Sequence, residues 1–242
     1  MAVGLGLAMV ALQAGIGATN DVVDAPRDAG HKPGKPIPAG LIARRTALSV
    51  SAGAFALGVA LSLAAAGGRG VALAALVIAI GLAYDLRLKG TAWSWLPFAV
   101  GIPVLPVFGW LGATGGLPSA FVVLVPAAVA AGAALAIGNA MADIERDRDA
   151  GSGSVALALG SERAWLAQLV LVFVVALAAV ASLPWLGASV AESGAVALVA
   201  LLPVGAAVAA HGGGAGRRER AWELEAVGIA ALGIAWVLVA LT

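Results

Sequence analysis

Residues 1–28 read MAVGLGLAMVALQAGIGATNDVVDAPRD, with no charged residue before Asp21. At a rise of about 1.5 Å per residue, the apolar part is long enough to approach the span of a hydrocarbon core about 30 Å thick. Asp21, Asp24 and Asp28 follow at i, i+3 and i+7, a spacing that sets three carboxylates along one face of a helix. Like charges so arranged repel unless a cation neutralises them. A hard divalent ion such as Mg²⁺ suits carboxylate oxygens and completes its shell with water and phosphate. Pro26 is expected to kink or end the helix, leaving Asp28 on the turn beyond it. The stretch predicts a membrane-crossing helix that carries an acidic, metal-binding face to one bilayer surface.

The rest of the 242-residue chain has the same character: 62% of it is hydrophobic and 11% charged. Soluble domains carry about 25% charged residues, so lipid is the expected solvent. Apolar stretches run roughly over 1–19, 46–66, 70–84, 92–113, 118–138, 164–183, 189–210 and 224–242. The expected fold is an all-α polytopic membrane protein of eight transmembrane helices, forming one domain over residues 1–242. The stretch 70–84 is short and is expected to continue to Leu88. The stretch 92–113 holds Pro97, Pro103 and Pro106, which predicts a bent helix lining a cavity. The absence of cysteine excludes disulfides and thiolate chemistry. No basic segment precedes the first apolar stretch, so a cleaved signal peptide is not expected.

Charge placement fixes the orientation. If the side reached after the first span receives residues 20–45, 85–91, 139–163 and 211–223, it collects all of the 14 basic residues except Arg69. It also collects all of the 13 acidic residues except Glu192, with Glu225 counted at the start of the last span. A wrong span count would scatter these charges. The positive-inside rule makes that side cytoplasmic.

A second acidic cluster follows the fifth span, where Asn139, Asp143 and Asp147 step by four and again share a face. Asn20, Asp24 and Asp28 repeat that spacing, so two halves of the chain supply matching acidic faces. Asp149 is an additional carboxylate. Basic residues stand close in sequence: His31, Lys32 and Lys35 after the first cluster, Arg87 and Lys89 after Tyr84, and Arg146, Arg148 and Arg163 around the second. Carboxylates holding Mg²⁺ beside Lys and Arg form a receptor for a diphosphate, and the same cations would stabilise the charge on a departing diphosphate. The competing reading of any one of these residues is a solvated positive-inside interface, and for Arg217, Arg218 and Arg220 it is the favoured one. His31 reads as a loop residue or phosphate contact. Trp93, Trp95 and Phe98 read as interfacial anchors.

These motifs resemble those of the UbiA superfamily of intramembrane prenyltransferases. The resemblance rests on Asn20-Asp21-x₂-Asp24-x₃-Asp28 and Asp143-x₃-Asp147. Lys35-Pro36-x-Pro38-Ala39-Gly40, Tyr84-x₄-Lys89 and Gly151-x₂-Ser154-x₅-Gly160 support it in the same order along nearly the whole chain. The resemblance implies a bundle around a central cavity with a cytoplasmic-side active site, where a prenyl diphosphate binds through Mg²⁺. Ionisation there would give an allylic cation, captured by a lipophilic, often aromatic, acceptor. It assigns metal binding to Asn20, Asp21, Asp24 and Asp28 in one group and to Asn139, Asp143 and Asp147 in the other. Diphosphate contacts fall to Lys35 and Lys89, with Arg27 and Arg148 beside them. Asp24, Asp143, Tyr84 and Lys89 are the expected catalytic set, with Tyr84 near the cation or acceptor.

Members of that family usually carry a further helix before the first motif helix. Here Met1 opens the motif helix itself, giving eight expected spans and an external N-terminus. Expected partners are the prenyl diphosphate, the lipophilic acceptor and membrane lipid, with no nucleic acid. The alternative within the enzyme class is a terpene cyclase of the same family, in which the cation attacks its own chain. A transporter is disfavoured, because the expected spans hold no charge deep in the bilayer.

Overall fold

The computed structural model describes residues 1–29 and 34–241. Among them are seven helices long and apolar enough to cross a bilayer. The chain divides into two compact units, residues 1–88 with 104–117, and residues 89–103 with 118–242.

In the first unit α1 (Ala2–Asp28) lies along α2 (Arg44–Ala83). Leu5, Ala8 and Leu12 of α1 pack on Leu73, Ala74 and Val77 of α2, and on Val104 and Phe108 from the later part of α3 (Leu96–Thr114). A polar clasp holds the two helices one turn before the first acidic residue. The Thr19 and Ser51 hydroxyls lie 2.7 Å apart, and Ser51 donates to the Gly15 carbonyl at 3.0 Å.

At 40 residues α2 would run about 60 Å if straight, twice the hydrocarbon thickness. It breaks at Gly67, whose φ of 60° and ψ of −145° only glycine takes readily. The chain reverses there, because Gly70 lies so close to the Ser62 carbonyl that a Cβ would overlap it. The apolar stretches expected at 46–66 and 70–84 are the two arms of α2. A π-helical turn, Tyr84–Leu88, extends the second arm as far as Leu88.

The second unit contains α4 (Phe121–Ala142), α5 (Ile144–Asp149), α6 (Val155–Leu159), α7 (Ser161–Ser182), α8 (Val190–Ala209) and α9 (Ala215–Ala240). Val175, Ala176 and Ala179 of α7 pack with Val196 and Ala200 of α8 and with Leu232 and Trp236 of α9. The Gly151-x₂-Ser154-x₅-Gly160 run proves to be a capping device. Ser154 caps α6 by accepting from the Leu157 amide at 3.4 Å, and Gly160 ends α6 with φ 80°.

Two boundaries differ from expectation. First, α1 does not end at Pro26 but continues to Asp28, so Asp28 is helical and buried. Proline removes its own N–H bond and crowds the carbonyl four residues back, but only one bond is lost and its fixed φ is helical, so the last turn of α1 persists past it. Second, α9 starts at Ala215 rather than near residue 224, so Arg217, Arg218 and Arg220 are helical. Glu225 consequently lies well inside α9 and is fully buried, not at the start of the span. α3 is continuous through Pro103 and Pro106.

Candidate active site

The first unit gathers its acids at the end of α1. Asn20, Asp24 and Asp28 lie one turn apart on that helix, and Asp24 and Asp28 are each 6% exposed. Asp85, on the π-helical turn, is 4% exposed and accepts a hydrogen bond from Asn20 Nδ2 at 2.7 Å. Lys35 is ion-paired with Asp21. Its pKa is raised above the usual lysine value, first by that hydrogen bond, with partial burial opposing and the charges of Asp21, Asp28 and Asp24 adding. Lys35 is therefore held as an ammonium over an acidic surface. Tyr84 opens the π-helical turn and is half-buried, and Arg27 is exposed. His31 and Lys32 lie outside the described residues.

In the second unit the acids mark a bend. Asp143 ends α4 and precedes α5, with φ −100° and ψ 3°. Helical bonding reaches Asp143 from either side: Asp143 N–H donates to Asn139 O at 3.3 Å, and Asp147 N–H to Asp143 O at 2.8 Å. Asn139 thus stands on α4, Asp143 at the bend and Asp147 on α5. All three are partly exposed, and an exposed Arg146 pairs with Asp143 at 2.8 Å. Arg148 and Asp149 are exposed, and Lys89 is half-buried.

The sequence reading missed Asp85, Arg218 and Gln168. Asp85 was passed over as the residue after Tyr84, and a π-helical turn leaves no signature in composition. Arg218 is no bystander at the interface. It donates to the Met141 carbonyl at 2.8 Å and pairs with Glu145 on α5. Gln168 of α7, fully buried, donates to Glu225 of α9 at 2.5 Å. Gly138 of α4 leaves room for that amide: a Cβ there would sit 2.6 Å from Gln168 Nε2.

Both clusters present oxygen donors only, the chemistry a hard divalent cation requires. Among the described residues no three acidic or histidine side chains form a metal cage by themselves. Mg²⁺ does not need one, since it is commonly held by one or two carboxylates and takes its other ligands from water and phosphate. The donor sets fit that ion.

The chain is thus a polytopic helical protein with oxygen-donor clusters at helix ends, one of them beside a charged lysine. The sequence matches the UbiA prenyltransferase family over residues 1–240, and the chain belongs to that family of prenyltransferases. No curated protein sequence matches it. Among solved structures, an apo UbiA homologue from Aeropyrum pernix K1 is 21% identical with a TM-score of 0.77, covering 98% of this chain and 88% of that one. A UbiA homologue from Archaeoglobus fulgidus, bound to GPP and Mg²⁺, is 21% identical with a TM-score of 0.74 over the same shares. A digeranylgeranylglyceryl phosphate synthase is 17% identical with a TM-score of 0.76, covering 98% of this chain and 85% of that one. These likenesses speak for the fold.

Proposed function

We propose that this protein transfers a prenyl group from a prenyl diphosphate to a lipophilic acceptor within the membrane, using Mg²⁺. The observation that carries this reading is the burial of Asp24, Asp28 and Asp85 in a unit otherwise built from apolar helices. Buried carboxylates are costly without cations, and oxygen donors beside an ammonium suit a metal-bound diphosphate. The Archaeoglobus fulgidus homologue bound to GPP and Mg²⁺ supports the same substrate class here.

In this reading Asn20, Asp21, Asp24 and Asp28 form one metal-binding set, and Asn139, Asp143 and Asp147 the other. When bound, Mg²⁺ would screen the diphosphate and stabilise it as a leaving group. Lys35, released from Asp21, and Lys89 donate to diphosphate oxygens, with Arg27 and Arg148 supplying further positive charge. Tyr84, which opens the π-helical turn before Asp85, would offer an aromatic face to an allylic cation. Asp85 holds the Asn20 amide.

The topology follows from the same reading. Dividing α2 at Gly67 gives eight crossings, and the distribution of Lys and Arg puts the acid-bearing ends on the cytoplasmic side. The family match over residues 1–240 supports treating the chain as one prenyltransferase domain.

The test is to incubate membranes holding the protein with Mg²⁺, prenyl diphosphates of graded length and a panel of lipophilic acceptors, and to identify products by mass. Prenylated acceptor is the expected product. A cyclic hydrocarbon or cyclic alcohol formed equally well without acceptor would make the protein a cyclase. No consumption of any prenyl diphosphate would end the proposal.

A further inference from the structure

We propose that Arg218 is a positioning residue for the second acidic cluster, bracing the bend on which Asp143 sits; this rests on the reading above that the cluster holds Mg²⁺. The guanidinium reaches three segments at once. Nε donates to the Met141 carbonyl at 2.8 Å, Nη1 donates to the Gly213 carbonyl at 2.5 Å, and Nη2 pairs with Glu145. Met141 is on the last turn of α4 and Glu145 on the first turn of α5, so these two anchors flank Asp143. Gly213 belongs to the turn before α9, the helix that carries Arg218 itself.

A planar fork with fixed donor directions, satisfied on three sides, has little freedom left, and it passes that rigidity to whatever it holds. The Arg218 side chain is 13% exposed, and its two carbonyl contacts are partly buried, while Glu145 stands at the surface.

The bend needs such support. The last carbonyls of α4 have no intrahelical partners and form the negative end of its dipole, at the place where Asp143 and Asp147 gather. Asp143 also occupies the sparsely populated bridge region of backbone space. Arg218 meets both problems without touching either metal-binding carboxylate. It satisfies a terminal carbonyl and brings a fixed positive charge to the end of α4. Arg146 behaves differently: its pair with Asp143 is solvent-exposed, and an arriving cation can displace it at little cost. Arg217 and Arg220, beside Arg218 in sequence, are exposed.

The experiment measures Mn²⁺ binding by electron paramagnetic resonance, with inorganic pyrophosphate present, on the full chain in lipid nanodiscs. The variants are Arg218→Ala, Arg218→Lys, Arg220→Ala and Asp143→Asn, with helix content followed by circular dichroism. Residues that orient metal ligands typically contribute about 10- to 100-fold in affinity. Arg218→Ala should weaken one Mn²⁺ by about tenfold or more at unchanged helix content. Arg218→Lys keeps the charge but not the fork and should fall between Arg218→Ala and the unaltered chain, while Arg220→Ala should match the unaltered chain. If Arg218→Ala does not fold, Arg218→Lys decides alone. Wild-type affinity in the folded Arg218 variants, with one Mn²⁺ lost in Asp143→Asn, would overturn the brace and leave the metal site standing. Full Mn²⁺ binding in Asp143→Asn would remove the metal site, and the brace with it.

Discussion

Asn20 can turn either its oxygen or its nitrogen toward a metal, and only the oxygen is a ligand. An ionised carboxylate accepts hydrogen bonds and donates none, so Asp85, 2.7 Å from Asn20 Nδ2, commits the nitrogen and leaves the oxygen available. Asp85 thus acts on the metal through Asn20, whereas Asp24 is assigned to the metal itself. The two should differ in degree when each is replaced by Asn. Asp24→Asn should lower prenyl diphosphate consumption by at least about a hundredfold, the scale of removing one group that stabilises developing charge. Asp85→Asn should cost about tenfold and raise the Mg²⁺ concentration needed for half-maximal rate, as loss of a ligand-orienting partner does. Both should reach the membrane in normal amounts. Near-normal turnover in Asp24→Asn would remove the first cluster from the chemistry, and equal damage from Asp85→Asn would make Asp85 a ligand in its own right.

Between helices, close approach does what large side chains do in soluble cores. Gly132 of α4 faces the backbone of α3, where a Cβ would stand 2.9 Å from the Ala99 Cα. Backbone cannot rotate away as a side chain can, so Gly132→Ala should destabilise by about 1–3 kcal/mol, the usual cost of overpacking. Gly109 of α3 has nothing within 4 Å of the equivalent point. There the same substitution should be neutral or stabilising by up to about 1 kcal/mol, through helix propensity alone. Thermal unfolding in detergent would compare the two, and a midpoint that falls equally in both would discount the contact. At this scale the sequence is only partly legible. Hydropathy reports the bilayer rather than the helix, so it located the apolar spans but not the extension of α1 through Pro26 to Asp28, of α4 to Ala142, or of α9 back to Ala215. The acidic spacing of the first cluster was legible because a helix repeats every 3.6 residues, and Asn20, Asp24 and Asp28 lie on one continuous helix. Asp85 and Arg218 were not legible. The first depends on a π-helical turn, and the second on three partners distant in sequence or on other segments.

For the whole molecule, the question with most leverage is how often α2 crosses the bilayer. A single crossing would place the two ends of α2 on opposite sides and invert every loop after it. Reversal at Gly67 returns Arg87 to the side of Arg44 and keeps all basic residues but Arg69 together. Because the chain has no cysteine, introduced ones can be read without background. Gly68 tolerates a side chain, with nothing within 4 Å of its would-be Cβ, and Trp185 is 91% exposed. In the eight-crossing topology, Gly68→Cys and Trp185→Cys should react with a membrane-impermeant maleimide added to intact cells. Arg87→Cys should react only in inverted vesicles. A single crossing by α2 gives another pattern: Gly68→Cys would sit in hydrocarbon and react from neither side, and Arg87→Cys would react on intact cells. The second result would put Asn20 and Asp85 on opposite faces of the membrane, and Asp85 could not then accept from the Asn20 amide.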